Sequence, residues 1–173
     1  MRTRRVHARC FAIVGRMSRA WGARVAAAST AVLLTGCATV PADPDGTLER
    51  VQGGVLRVGV TENAPWVELS DGGDPSGTEP ALILEFAERL DAEVEWTPGS
   101  EATLAEALEA GELDLVIGGF VEDTPWTELA ASTRPYVEAG TAEGNDKHVM
   151  LAPLGENAFL VTLETFLDEQ AVS

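Results

Sequence analysis

The sequence predicts an α/β fold: a single open, mostly parallel sheet of about five strands with helices on both faces. Three observations predict it. Between positions 55 and 117, β-branched runs alternate with stretches of helical periodicity in the order β-α-β-α-β. The third run, 113–117, is almost wholly apolar, as in a strand covered on both faces. The chain has 173 residues, enough for one buried core, and none of its apolar runs reaches the roughly 18–20 residues that a membrane-spanning helix needs.

Each element follows from its residues. The segment 55–60, VLRVGV, reads as the first strand and 93–97, EVEWT, as the second. Between them, 80–90 sets Ile83, Phe86, Ala87 and Leu90 on one helical face, with Pro80 suited to the first turn. A helix over 101–110 is started by Ser100 as N-cap, stopped by Gly111, and buries Leu104, Ala107 and Leu108. The crossovers of this unit are expected to be right-handed. Gly118-Gly119 is expected to end the third strand. Thr124-Pro125 opens a short helical turn to about Ala131, 133–136 is extended, and 138–147, EAGTAEGNDK, reads as a polar loop. The segment 148–152 reads as a strand. Then 155–157 forms a turn with Asn157 capping, and 158–169 a helix with Phe159, Leu160, Leu163, Phe166 and Leu167 on one face.

Charge divides the chain. Its 12 Lys and Arg face 28 Asp and Glu, a formal net charge of −16. Seven of the arginines lie in the first 36 residues, which hold no carboxylate, so the remainder carries 5 basic against 28 acidic groups, a net −23. A domain this acidic excludes nucleic acid as its main partner. The two cysteines, Cys10 and Cys37, both belong to the basic segment or its end, which excludes a disulfide framework in the domain.

The segment 1–36 has the character of an export signal: arginines, an apolar stretch at 25–36, then small residues. Leu34-Thr35-Gly36-Cys37 resembles the bacterial lipobox, which implies acylation of Cys37 and a lipid anchor on the extracytoplasmic face of the cell membrane. Residues 37–47 then form a flexible Pro/Asp/Gly tether. Translation is expected to start at Met17, which opens a conventional basic n-region. The rival is a twin-arginine signal at Arg4-Arg5, although Val-His-Ala after the pair lacks the usual apolar residues.

One family carries these pieces in this order: LRVGV, N-A-P-W, GTEPALILEFAERL, L-x-x-A-L-x-x-GELDLVIGG, DTPW and TRPY, over roughly 48–137. Together they resemble the first lobe of the family 3 extracytoplasmic solute-binding proteins, type II periplasmic binding proteins that serve polar amino-acid uptake. The resemblance implies two lobes closing on a ligand. Here the single lobe spans 48–173, the loop 138–147 stands where a second lobe of roughly 90–100 residues would begin, and 148–169 completes lobe one.

By this resemblance the candidate ligand-binding residues are Trp66, Glu79, Gly119, Phe120, Thr124, Trp126 and Arg134. Trp66 falls where the family stacks an aromatic on its ligand, with rim packing as the alternative. Gly118-Gly119-Phe120 falls where the backbone meets ligand, although two glycines also serve simply to turn a chain. Trp126 reads as a wall or, preferably, as a plug over the surface a second lobe would cover. The family's carboxylate-gripping arginine is absent from Thr124-Pro125-Trp126-Thr127, and Arg134 is the nearest basic side chain. Gly77 and Glu79 keep part of the family's helix-start motif. Glu62, Glu79 and Glu122 near one edge would favour a cationic solute, against the simpler reading that they are solvated.

There is no phosphate loop, H-E-x-x-H or C-x-x-C, and His148 is expected to stand away from the site edge without metal-ligating partners. No metal, cofactor or catalytic residue is implied, and an enzyme is the poorest reading. Two function classes follow. One is a lipid-anchored binding accessory that presents a small polar or cationic solute to a membrane transporter subunit. The other is an interaction or sensor lipoprotein holding a membrane protein partner.

Overall fold

A computed structural model describes residues 41–141 and 144–171. The export segment, the Met17 start and Cys37 lie outside the described residues. In chain order the elements are α1 (Thr47–Val51), β1 (Val55–Val60), α2 (Thr78–Arg89), β2 (Glu93–Pro98), α3 (Glu101–Glu109), β3 (Leu115–Val121), a 3-10 turn (Pro125–Glu128), β4 (Ala131–Ser132), β5 (Val137–Thr141), β6 (Gly144–Ala152) and α4 (Asn157–Ala171). Among the described residues, no helix is long and apolar enough to cross a membrane.

The sheet has six strands in the order β2-β1-β3-β6-β4, with β5 also paired to β6. β1 runs parallel to β2 and β3, whereas β6 runs antiparallel to β3, β4 and β5. The sheet is therefore mixed, with only its first three strands parallel. Helices cover both faces. On one, Ile83, Phe86 and Ala87 of α2 meet Phe159, Leu163, Phe166 and Leu167 of α4 over Val58, Val60, Leu115 and Ile117. The Phe86 ring lies 6.0 Å from Phe159 and 5.4 Å from Phe166. On the other face, Leu104 and Leu108 of α3 pack with Val116, Phe120, Val149 and Leu151.

Ser100 caps α3 as the sequence predicts, its hydroxyl accepting the Thr103 N–H at 3.3 Å. Three local expectations change. Strand β3 continues through both glycines to Val121, with its pairing to β6 shifted between Val116 and Phe120. Gly119, at φ +66°, absorbs that shift in a conformation that costs other residues strain. The described residues of 138–147, 138–141 and 144–147, are strand rather than loop. Val137 to Thr141 pairs residue by residue with His148 to Gly144 in a hairpin. The end of the tether is not free either. Asp43 accepts the Ala158 and Phe159 N–H groups and so caps α4 in place of Asn157, whose side-chain amide donates to the Gly155 carbonyl instead. Glu156 in turn accepts from the Asp45 and Thr47 N–H groups. These contacts seat residues 43–47 against the end of β6, at the amino edge of β1 and β3.

The same amino edge holds an ion-pair cluster. Asp114, fully buried ahead of β3, accepts from Arg50 at 2.7 Å and from Arg57 at 2.6 Å. Burial alone would raise its pKa, but the hydrogen bonds from Arg57 and Arg50 hold it below the usual carboxylate range.

Candidate functional site

Open α/β sheets bind ligands beyond the carboxyl ends of their parallel strands. Here that edge is built around Glu79. Gly77, at φ +115°, starts α2 hard against the loop after β1, where a Cβ would come within 2.5 Å of the Trp66 carbonyl oxygen. The Glu79 N–H donates to that carbonyl at 3.1 Å. This entry angle turns the Glu79 side chain inward, where it is completely buried. Its Oε2 accepts the Gly118 N–H at 2.7 Å and the Gly119 N–H at 2.9 Å, and its Oε1 accepts the Tyr136 hydroxyl at 2.5 Å. Burial pushes the Glu79 pKa up, and the bonds from Tyr136, Gly119 and Gly118 oppose that shift. The Tyr136 phenol is pushed up as well, by burial and by the neighbouring carboxylate.

The rest of the site surrounds the same two glycines. A Cβ on Gly119 would lie 2.5 Å from Cδ1 of Trp66 and 2.7 Å from Nδ2 of Asn63, so the indole rests directly on the glycine backbone. The Trp66 and His148 rings stack at 3.9 Å with 34° between their planes. Asn63 Nδ2 donates to the Gly118 carbonyl at 2.9 Å, and His148 Nδ1 lies 3.3 Å from the Gly119 carbonyl. Trp66 remains partly exposed while His148 is buried.

Of the residues singled out in the sequence, Trp66, Glu79 and Gly119 come together here. The others do not. Phe120 points to the opposite face of the sheet, into the α3 core. Trp126 packs on that same core and donates through Nε1 to Glu101 at 3.0 Å. Thr124 sits in the turn after β3 with its buried hydroxyl unpaired among the described residues. Arg134 lies along α4, bound to Glu164 at 3.0 Å and Asp168 at 2.8 Å. Glu62 is exposed, and Glu122 pairs with Lys147, so neither joins Glu79 in a cluster.

Asn63, Tyr136 and His148 complete the site without having been expected. His148 belongs to the edge because β6 is antiparallel: its residue opposite Val121 lies where β3 ends. Tyr136 was visible in the TRPY segment, but its partner is 57 residues away. Among the described residues no group of His, Cys, Asp and Glu is arranged to hold a metal ion.

The sequence profile of the bacterial extracellular solute-binding proteins, family 3, matches residues 56–168. The chain belongs to that family. In its arginine-bound form, domain 1 from TmArgBP superposes with a TM-score of 0.62 at 22% identity, over 70% of this chain and 97% of that one. The unliganded, open L-cystine solute receptor of Neisseria gonorrhoeae gives 0.60 at 13% identity, over 72% and 91%. The truncated, arginine-bound ArgBP from T. maritima gives 0.61 at 13%, over 70% and 99%. Among curated protein sequences none matches significantly. These likenesses establish the fold, an open sheet equivalent to one lobe of a periplasmic binding protein, and the family and fold are those of binding proteins.

Proposed function

We propose that this family 3 protein is a membrane-anchored extracytoplasmic binding component that presents a small polar solute to a transport system, with the solute seated on Trp66. The observation carrying this reading is the convergence of Trp66, Gly118-Gly119 and Glu79 at the carboxyl edge of β1 and β3 in a chain of this family. The β5–β6 hairpin stands in for a second lobe, so the solute meets one wall rather than two and binds weakly. Cys37 carries the lipid. The domain end of the tether is seated on the fold from Ala42 to Thr47, the Ala42 carbonyl accepting the Asn157 N–H at 3.3 Å.

Two measurements test the reading. A thermal-shift screen against small polar solutes is expected to give a stabilising solute whose effect is lost in Trp66→Ala. Cys37→Ser is expected to abolish incorporation of labelled palmitate and to release the protein from membranes. A screen silent for every solute, with a membrane protein co-purifying, would instead favour a role in holding a protein partner.

A further inference from the structure

We propose that the solute carries a carboxylate and that His148, in its charged form, grips it together with the Asn63 amide and the Trp66 indole N–H. The proposal rests on the solute-binding reading above and names the chemical class of the solute. All three side chains gather on Gly119. Its carbonyl lies 3.3 Å from His148 Nδ1, and the Trp66 ring stacks on that imidazole at 3.9 Å. A Cβ on the same glycine would stand 2.7 Å from Asn63 Nδ2 and 2.5 Å from Trp66 Cδ1, the carbon bonded to the indole nitrogen. A carbonyl oxygen only accepts, so Nδ1 carries a hydrogen, and Nε2 is the nitrogen whose proton comes and goes.

His148 is only 5% exposed, yet its Nε2 has no hydrogen-bond partner among the described residues, and neither has Trp66 Nε1. The buried side-chain atoms without a partner among those residues are the hydroxyls of Thr124 and Ser132. Both ring nitrogens therefore open onto the surface of the edge. The exposed Asn63 spends one amide hydrogen on the Gly118 carbonyl and keeps the other.

Three N–H groups around one residue suit an oxyanion, and charge decides when they hold it. Among the described residues the Arg and Lys side chains are committed to other carboxylates: Arg50 and Arg57 to Asp114 at the far edge, Arg89 to Glu169, Arg134 to Glu164 and Asp168, and Lys147 to Glu122. His148 is thus the described side chain that can bring positive charge to this spot. Glu79 of α2, which feels the charge of that ring, faces it with its oxygens turned to Gly118, Gly119 and the Tyr136 phenol ahead of β5. Around it stand the Glu122–Lys147 pair, Glu138 opposite Lys147 across the ladder, and the exposed Glu62 after β1. While the imidazole is neutral, a ligand carboxylate meets Glu79 uncompensated. Once charged, the ring offsets Glu79 and offers Nε2–H to the ligand. Capture therefore takes up a proton, and binding tightens as pH falls through the histidine range.

L-lactate, lactamide and L-alanine form the test set, since lactamide replaces the carboxylate by an amide and alanine replaces the hydroxyl by an ammonium. Each is titrated into the full chain in detergent, followed by NMR, at about pH 6 and about pH 8, on the two sides of the ordinary histidine value. A carboxylate is expected to bind at least about tenfold more tightly at the lower pH, with lactamide silent. Binding of lactate identifies an organic acid as the source of the carboxylate, and binding of alanine alone an amino acid; either supports the proposal. In the unaltered chain the His148 ring is expected to titrate at higher pH once the carboxylate is bound, and His148→Gln, which can still donate to the Gly119 carbonyl, is expected to lose the pH dependence. Lactamide binding as well as lactate and alanine, a ring titration that stays in place, or a pH dependence that survives in His148→Gln and so belongs to Glu79, would each overturn the proposal and leave the solute-binding reading standing. Silence with all three overturns it too, and silence in the thermal-shift screen as well removes the solute-binding reading itself.

Discussion

Taking away the Glu79 carboxylate would leave two buried backbone N–H groups and the Tyr136 hydroxyl without their acceptor. Glu79→Ala is accordingly expected to lower stability by about 3 kcal/mol in urea unfolding. The pH dependence has a definite sign. Burial makes the folded protein hold the Glu79 proton more tightly than the unfolded chain does, so this contribution is full below the ordinary glutamate pKa and is lost as pH rises through the folded value. Asp114 does the opposite. Its depressed pKa gives stability that is present above the ordinary aspartate value and is lost as pH falls through the folded value. Unfolding measured between roughly pH 3 and pH 7, the interval in which carboxylates titrate, should show the first slope flattened in Glu79→Gln and the second in Asp114→Asn. Gly119→Ala, which places a Cβ against Trp66 at a positive φ, should cost about 2 kcal/mol and change the tryptophan fluorescence. At this scale Trp66, Glu79 and Gly119 were legible because they stand in short family motifs. Asn63, Tyr136 and His148 were not, because their contacts depend on strand direction and on partners tens of residues away.

Elements were legible wherever periodicity and punctuation agree. The Ser100 cap and the Gly111 stop bound α3, and the stripes of α2 and α4 meet as their spacing demands. Two features escaped because tertiary pairing overrode local composition. The polar residues of 138–147 make a hairpin since each strand finds a ladder partner in the other, and β6 is held from its far side by β3. Asp43 caps a helix that begins 114 residues later, a relation no local pattern contains. Asp43→Ala should therefore cost about 1 kcal/mol and increase amide exchange in the first turn of α4. Phe166→Ala should cost more, about 3 kcal/mol, because its buried ring packs from α4 onto Phe86 of α2 and its removal leaves a cavity.

Across the whole molecule the two edges of the sheet have different tasks. The amino edge gathers the structural ion pairs and the entry of the chain, whereas the carboxyl edge gathers Trp66, Glu79, Tyr136 and His148. The hairpin between these assignments has a further consequence for engineering. Its outermost pair, Thr141 and Gly144, brings the outgoing and returning strands side by side, about 5 Å apart. That pair is a ready splice port: a foreign module whose own ends lie close together matches the spacing of the two strands there. A chimera carrying such a module between positions 141 and 144 should keep the urea midpoint of the parent lobe, which makes the hairpin a modular chassis.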